Sequence, residues 1–168
     1  MEFKIGDKVV YPNHGLGIIE QIEKRLVGDR DEEFLRLRIV SNDSMVMVPR
    51  GNTTSVGLRR VTTKKEVEQV YEALRDSTVR VFEDWKGRFQ ENSDKMRTGS
   101  IAEVALVFKS LTHLAQQKNL SYRERRMLDK AKYLLVSEIA EVERLPTEQV
   151  EVKIDRAVTR GIRQVRDR

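Results

Sequence analysis

The chain contains no cysteine, and its 168 residues include only three prolines, two histidines and one tryptophan. Without cysteine it can form neither disulfide bonds nor cysteine-ligated zinc sites, and it has no thiol nucleophile. The two histidines, His14 and His113, are not spaced like the ligands of a zinc centre. We therefore expect no metal site, and a chain adapted to the reducing cytoplasm.

Long apolar segments are also absent. No run approaches the roughly 20 apolar residues that cross a bilayer. Residues 1–8 contain charged side chains where a signal peptide would have its apolar segment. We predict a cytoplasmic protein that is neither secreted nor inserted in a membrane.

The sequence lacks the common motifs of enzymes. Gly15-Leu16-Gly17 has neither the third glycine nor the following helix of a dinucleotide site, and no P-loop, GxSxG or HExxH motif occurs. No carboxylate stands alone in an apolar stretch that would tune it for acid–base chemistry. We predict a protein that is not an enzyme and binds no cofactor. An enzyme with an unrecognised site would require a deep polar pocket.

Basic residues outnumber acidic ones, and the excess is uneven. The chain has 32 Lys and Arg against 27 Asp and Glu. Residues 1–60 carry a net charge of +1 and residues 61–168 a net charge of +4. Such a surplus indicates an acidic partner, nucleic acid before all others, although an ordinary solvated surface gives the same count.

The first part of the chain has the pattern of short strands. Residues 34–39 alternate so that Leu35, Leu37 and Ile39 share one face, and Pro49 must end a strand or lie at its edge. A last strand is predicted at 56–58. Five short strands in about 55 residues predict a small, strongly bent sheet or barrel as a domain over residues 1–61.

The remainder, residues 62–168, has the pattern of helices. Three capping boxes begin at Thr63, Ser100 and Ser121, and each precedes an apolar stripe. Gly99 is a natural helix stop, and Pro146 introduces a last helix. The fold class predicted is α+β, with a small N-terminal β-barrel followed by a C-terminal all-α domain of four or five helices.

The helix that begins after Ser121 carries a basic face. Arg123, Arg126 and Lys130 project opposite its apolar stripe, while Arg125 and Lys132 flank that stripe. Basic side chains at helical spacing can follow a phosphate backbone, with affinity but little sequence selectivity. The alternative is a helix face that simply contacts solvent.

Trp85 admits two interpretations. Asp84 is a plausible N-cap, which would place Trp85 at a helix start beside Lys86 and Arg88, where an indole can stack on bases or wedge between them. The spacing of Phe82, Trp85 and Phe89, however, is typical of a buried stripe. Gly87 favours the open position, because glycine is unhelpful inside a buried helical turn.

Several segments together resemble the bacterial CarD family, whose small barrel also occurs in the transcription-repair coupling factor. Residues 3–17 look like the opening of its barrel, and residues 48–49 and 55–59 are similar to its later strands. Trp85 in its basic setting and residues 120–128 resemble the helical domain of the stand-alone members. The resemblance covers about residues 1–145, in order, and the short chain without a P-loop is unlike the coupling factor.

The resemblance implies a transcription regulator. A Tudor-like barrel would bind the β subunit of RNA polymerase, with Arg25 as one contact and Met47 where some members have a second arginine. The helical domain would contact promoter DNA at the upstream edge of the bubble, with Trp85 as a wedge that keeps the open complex open. Arg88 and Arg125 match basic DNA-contacting positions, whereas Gln90 stands where some relatives have a basic residue.

The predicted partners are therefore the RNA polymerase β subunit and promoter DNA, and we expect a monomer. The predicted DNA-contacting residues are Trp85, Lys86, Arg88, Arg123, Arg125, Arg126 and Lys130, and the predicted polymerase contacts are Arg25 and Met47. The alternative is an adaptor on the transcription machinery that binds proteins alone, with Trp85 in its core.

Overall fold

The computed structural model of the protein describes residues 2–79 and 84–166, and side chains as far as residue 164. The chain divides into two compact units, residues 1–61 and 62–168, which we call the sheet unit and the helical unit. Every described strand lies in the first and every described α-helix in the second. The predicted α+β fold class, a small β domain followed by an all-α domain, is confirmed.

The sheet unit contains one antiparallel sheet with five strands among the described residues. They are β1 (Lys8–Tyr11), β2 (Gly15–Val27), β3 (Arg30–Ile39), β4 (Met45–Pro49) and β5 (Arg59–Arg60). Their order is β4-β3-β2-β1-β5, so β4 and β5 are the edge strands. The register of the long β2–β3 hairpin shifts between Ile19 and Gln21. Such an irregularity bends a strand and increases its twist.

The core of this sheet follows the alternation in the sequence. Leu35, Leu37 and Ile39 are buried, while Arg36 and Arg38 are only partly covered on the other face, as predicted. Pro49 ends β4, also as predicted. The buried cluster consists of Phe3, Val9, Ile19, Leu35, Leu37, Val48 and Leu58.

The last strand differs from the prediction. Residues 56 and 57 belong to a turn, and the strand is the pair Arg59–Arg60, bonded to β1. The amides of Val56, Gly57 and Leu58 donate to carbonyls three to five residues earlier. Gly57 has a φ of 77°, which suits glycine and interrupts extended backbone. Leu58 nevertheless reaches the core.

The helical unit contains five α-helices among the described residues. They are α1 (Lys64–Arg75), α2 (Trp85–Thr98), α3 (Ile101–Gln117), α4 (Tyr122–Glu143) and α5 (Thr147–Arg166). The three predicted N-caps are confirmed, since each side chain accepts the amide proton of the residue three places on. Gly99 ends α2 with a φ of 72°, as a stop residue should.

The apolar stripes of these helices converge on one core. Leu74, Leu111, Leu135, Ile139 and Ile154 are fully buried, and each contributes about 1.5–3 kcal/mol by leaving water. In α3, Leu114 is buried and the neighbouring Ala115 is exposed. None of the described helices is long and apolar enough to cross a membrane.

Candidate nucleic-acid interface

The start of α2 presents an aromatic pair. Asp84 caps the helix by accepting the amide proton of Gly87, at 3.1 Å, so Trp85 is the first helical residue, as predicted. The indole stacks on the ring of Phe89, with 5.7 Å between ring centroids and 12° between planes. It stays 39% exposed. The indole is therefore not enclosed in the core, while its contact with DNA stays a prediction; Phe82 lies outside the described residues.

A chain of hydrogen bonds links this tryptophan to α4. The Trp85 indole N–H lies 3.5 Å from Oγ of Ser121, the N-cap of α4. Ser121 Oγ in turn lies 3.3 Å from Oε1 of Glu124. Glu124 accepts two hydrogen bonds from Arg88, from Nε at 2.7 Å and from Nη2 at 3.1 Å. The starts of α2 and α4 are therefore joined side by side beneath the exposed indole.

The Arg88–Glu124 pair is buried, with about 4% and 3% of the two side chains exposed. Hydrogen bonding to Glu124 raises the pKa of Arg88 against the opposing effect of burial. Burial alone would raise the pKa of Glu124, but the hydrogen bonds and charge of Arg88, with help from Ser121, lower it overall. Both groups are therefore charged at neutral pH, in the bidentate geometry that favours this pairing.

This arrangement corrects the prediction for Arg88. Its side chain lies inside the helical unit and its guanidinium group is committed to Glu124, so it is not presented to a phosphate. Arg88 instead fixes the orientation of the helix that carries Trp85.

The other basic residues predicted to contact DNA are exposed. Lys86 lies on the first turn of α2, and the rest lie on α4: Arg123, Arg125, Arg126 and Lys130. At about 100° per residue, Arg123, Arg126 and Lys130 share one face of α4, while Arg125 points to another. The two helix starts add partial positive charge at the same place, because their first amide groups point there.

Two of these arginines also contact rings. The guanidinium carbon of Arg123 lies 5.9 Å from the Phe89 ring centroid, so Trp85, Phe89 and Arg123 form one continuous surface. We call these three residues the aromatic–basic surface. Arg126 lies 5.7 Å from the ring centroid of Tyr122, which is 74% exposed. The predicted residues include neither Tyr122 nor Phe89, whose spacing with Trp85 is typical of a buried stripe.

The flanking base Lys132 has a different use. Its ammonium group lies 3.1 Å from a Glu151 carboxylate oxygen and 3.2 Å from one of Asp155. Although burial opposes it, these two partners raise the pKa of Lys132 overall. Lys132 therefore ties α4 to α5. No group of three side chains able to hold a metal ion occurs within residues 2–79 and 84–166.

In the sheet unit, Arg25 and Met47 lie on the same face. Arg36 pairs with Gln21 of β2 on one side and with Met47 of β4 on the other. Because side chains alternate along a strand, Arg25 projects to the same side as Gln21, away from the core. The Arg25 side chain is 61% exposed and its guanidinium group is 3.1 Å from Glu23. Met47, on the edge strand, is partly exposed.

Both units match known families. Residues 3–62 match the family model "CarD-like/TRCF RID domain", and residues 69–155 match "CarD, C-terminal domain". The Bacillus subtilis (strain 168) protein "Putative transcription factor YdeB" is 32% identical over 148 residues, which are 88% of this chain and 97% of that protein.

Two solved Myxococcus xanthus structures are also similar. The 72-residue N-terminal domain of CarD, a solution NMR structure, is 32% identical, covering 35% of this chain and 79% of its own, with a TM-score of 0.31. CdnLNt is 39% identical, covering 38% and 90%, with a TM-score of 0.33. The match of both parts in order, and the relative matched almost end to end, mean that this chain belongs to the CarD family of transcription factors.

Proposed function

We propose that this transcription regulator is tethered to RNA polymerase by its sheet unit and stabilises promoter open complexes with its helical unit. The observation that carries the proposal is the exposed indole of Trp85, supported by Phe89 and bordered by Arg123. An aromatic ring held at the surface among basic side chains suits a nucleic-acid partner.

Trp85 would act as a wedge at the upstream edge of the melted region. One face of its indole is stacked on Phe89, which leaves other parts of the ring available to an unstacked base. Stacking on an aromatic side chain contributes about 1–3 kcal/mol per base. Because this contact would exist only where the duplex is melted, its whole energy would shift the equilibrium toward the open complex.

The basic residues around the wedge would hold the phosphate backbone. Arg123, Arg126 and Lys130 share one face of α4, and Lys86 lies beside Trp85. Contacts with phosphates exchange condensed counterions for fixed charges, and they position a protein without reading sequence. Arg125, on another side of α4, would contact phosphates that the other three residues of this helix do not reach.

The sheet unit would supply the tether. The family description that it matches, with the coupling factor's domain in its name, implies interaction with RNA polymerase. Arg25 and Met47 share the outer face of the sheet, and we assign them contacts with the β subunit. A tether raises the local concentration of the helical unit at the promoter, so its own DNA affinity can be low.

The wedge is tested by the dissociation lifetime of promoter open complexes, measured with Trp85→Ala and with the control Tyr133→Ala. Tyr133 is an aromatic residue of similar exposure, at 46% against 39%. We expect Trp85→Ala to shorten the lifetime about tenfold, which corresponds to the loss of about 1.4 kcal/mol of stacking, while Tyr133→Ala leaves it unchanged. An unchanged lifetime with Trp85→Ala, at equal polymerase occupancy, would refute the wedge and favour the protein-only adaptor.

The tether is tested by polymerase binding with Arg25→Glu and Lys24→Glu. These neighbours carry the same charge, are both exposed and project to opposite faces of β2. We expect Arg25→Glu to weaken binding at least about tenfold, because it reverses the charge in a contact that would require a positive side chain. Lys24→Glu should have little effect. Equal binding by both variants would remove the outer face from the proposal.

A further inference from the structure

The outer face of α5 carries a row of three arginines. Arg156, Arg160 and Arg163 are exposed and spaced i, i+4, i+7, which places them on one side of the helix. We call them the arginine row. Within the described part of the chain, no hydrogen bond, ion pair or ring contact engages their guanidinium groups. The neighbouring acid Asp155 is already paired with Lys132, at 3.2 Å.

The composition of this stretch is one-sided. Residues 156–166 include four arginines and no acidic residue. The opposite side of the helix is used by the core, where Ala157, Val158 and Ile162 are buried. The described side chains between residues 156 and 164 therefore leave no apolar face that could enter a lipid surface, and the row itself is suited to a polyanion.

The spacing of the row fits a phosphate backbone. At a rise of about 1.5 Å per residue, the three arginines extend over about 10 Å along the helix. Successive phosphates on one DNA strand are about 3.4 Å apart along the duplex axis, so the row can face several of them. The planar guanidinium group donates two parallel hydrogen bonds to a phosphate. Thr159, partly exposed, and Gln164, exposed, add neutral hydrogen-bonding groups nearby.

A fourth arginine faces the row from α1. Arg75 borders a cleft of about 300 Å³ between α1 and α5, together with Arg156 and Arg160. Glu68, about two turns before Arg75 on α1, also lines this cleft. Lys153 of α5 lines it as well and is paired with Glu143. The positive surface thus extends over two helices toward the C-terminal end of α1.

The helix that carries the row packs on the end of α1, from which the chain leads to Trp85. At Gly161 a Cβ would lie 2.3 Å from the Leu74 carbonyl oxygen and 2.6 Å from that of Asp76, so α5 packs directly on the end of α1. From Asp76 the chain reaches Trp85 in nine residues, which span at most about 32 Å. The end of α1 on which α5 packs therefore lies within about 32 Å of the proposed wedge, on the order of one turn of duplex.

We propose that the arginine row of α5 is a second, sequence-independent contact with the phosphate backbone of duplex DNA. It lies beyond residue 155, where the match to the family's C-terminal domain ends. The proposal rests on the proposed function in one respect, that the helical unit meets duplex DNA. In this arrangement Trp85 acts on the melted end and the row holds the double-stranded part next to it.

The test measures binding of the full chain to a 40-base-pair duplex between 50 and 200 mM salt, by fluorescence anisotropy. The variant is R156Q/R160Q/R163Q. The matched control is K64Q/K65Q/R97Q, which removes the same charge from exposed positions, two of them at the opposite end of α1. Circular dichroism checks that both variants fold, as substitutions at exposed positions should.

We expect the row variant to reduce the slope of log affinity against log salt by about 2.7, which is 0.9 for each lost phosphate contact. Its affinity at 50 mM salt should fall at least about tenfold, while the control changes the slope by less than about 1. The charge-conserving variant R156K/R160K/R163K should retain most of the slope.

Equal slopes for the row variant and the chain itself would overturn the proposal, and so would equal losses in the row variant and the control. Retained DNA binding with lost polymerase binding would also overturn it, because the row would then contact protein. Trp85→Ala separates the two proposals: if it leaves open-complex lifetime unchanged while the row variant loses its slope, the wedge fails and the row stands.

Discussion

The sheet unit and the helical unit use their charged side chains differently. In the sheet unit, arginines form ion pairs at the surface: Arg36 with Glu23 at 3.5 Å, Arg50 with Glu33 at 2.7 Å, and Arg60 with Asp7 at 3.4 Å. Each of these side chains keeps a quarter or more of its surface exposed. The charges of this sheet are mostly balanced by neighbours in the same unit.

In the helical unit the same residue types are divided by burial. One pair, Arg88 and Glu124, is enclosed between α2 and α4. Arg123 and the three arginines of the row on α5 are exposed, and none of these four has a carboxylate partner among the described residues. Burial therefore decides which arginines hold the fold and which remain available to a polyanion, a distinction that charge counts do not make.

The largest expected effect comes from breaking the buried pair. Glu124→Ala leaves the guanidinium group of Arg88 buried without its carboxylate, which costs about 3–5 kcal/mol. The double variant R88M/E124L removes both charges and should recover most of that loss, because apolar replacements of buried pairs are often neutral. Urea unfolding followed by circular dichroism measures both free energies.

The same double variant separates structure from DNA binding. If Arg88 is only a positioning residue, R88M/E124L should keep the salt dependence of DNA affinity unchanged, whereas Arg123→Gln should reduce its slope by about 0.9. A cost below about 1 kcal/mol for Glu124→Ala would place this pair with surface pairs. A reduced slope in the double variant would return Arg88 to the DNA contacts.

A second, smaller effect is expected at Lys109, a base inside the helical unit. It is 3% exposed, and its ammonium group donates to the carbonyl oxygens of Ala73 and Asp76, both at 2.6 Å, at the end of α1. Burial lowers the pKa of Lys109, although the charge of Asp76 acts in the opposite sense. This buried base closes the last turn of α1, where the chain departs toward Trp85.

Lys109→Met keeps the length of the side chain and leaves those carbonyl groups without their donor. We expect a loss of about 2–3 kcal/mol in unfolding free energy, with faster hydrogen exchange in the last turn of α1. Lys65→Met, at an exposed position of the same helix, is the control and should change stability by less than about 0.5 kcal/mol. Equal costs for the two variants would mean that Lys109 does not support α1.

Acid should weaken the helical unit through Glu124. Because its folded pKa is lowered below the unfolded value of about 4.3, the pair adds stability that is present above that pH and is lost as pH falls through the folded pKa. Urea midpoints between pH 3 and 7 should therefore fall more steeply for the chain itself than for R88M/E124L. Parallel curves would show that Glu124 is not the titrating group.

The sequence predicted elements better than it predicted partnerships. Thr63, Ser100 and Ser121 were correct N-caps, because a cap depends on residues within one turn, and alternation placed Leu35, Leu37 and Ile39 in the core. The last strand was misplaced because Gly57 adopts a left-handed conformation that only the surrounding turn requires.

The candidate site was predicted only in part for the same reason. Trp85 and the bases of α4 could be selected from local pattern, and the prediction of Asp84 as an N-cap was correct. Arg88 was assigned to DNA through the family resemblance, whereas its partner Glu124 is 36 residues away and no local pattern indicates that the two meet. The support of Trp85 by Phe89 likewise depends on rotamers that spacing does not determine.

The smallest expected effect is in the sheet unit, where an exposed ion pair contrasts with the buried pair of the helical unit. Arg36 of β3 lies 3.5 Å from a carboxylate oxygen of Glu23 on β2, with 41% and 26% of the two side chains exposed. Solvent screens such a pair, and ordering two long side chains offsets part of its attraction, so it contributes about 0–1 kcal/mol. Arg36→Gln should therefore lower stability by less than about 1 kcal/mol, and less still at 1 M salt, where the screening length is about 3 Å.

Hydrogen exchange of the β2 and β3 amides measures this cost separately from the helical unit, since global and local opening free energies are read residue by residue. Glu124→Ala in the same experiment should change exchange in α2 and α4 and leave β2 and β3 unaffected. A loss of stability above about 2 kcal/mol for Arg36→Gln would exceed the contribution expected of an exposed ion pair. The sheet unit would then depend on its surface charges as the helical unit depends on its buried pair, and burial would no longer separate the two kinds of arginine.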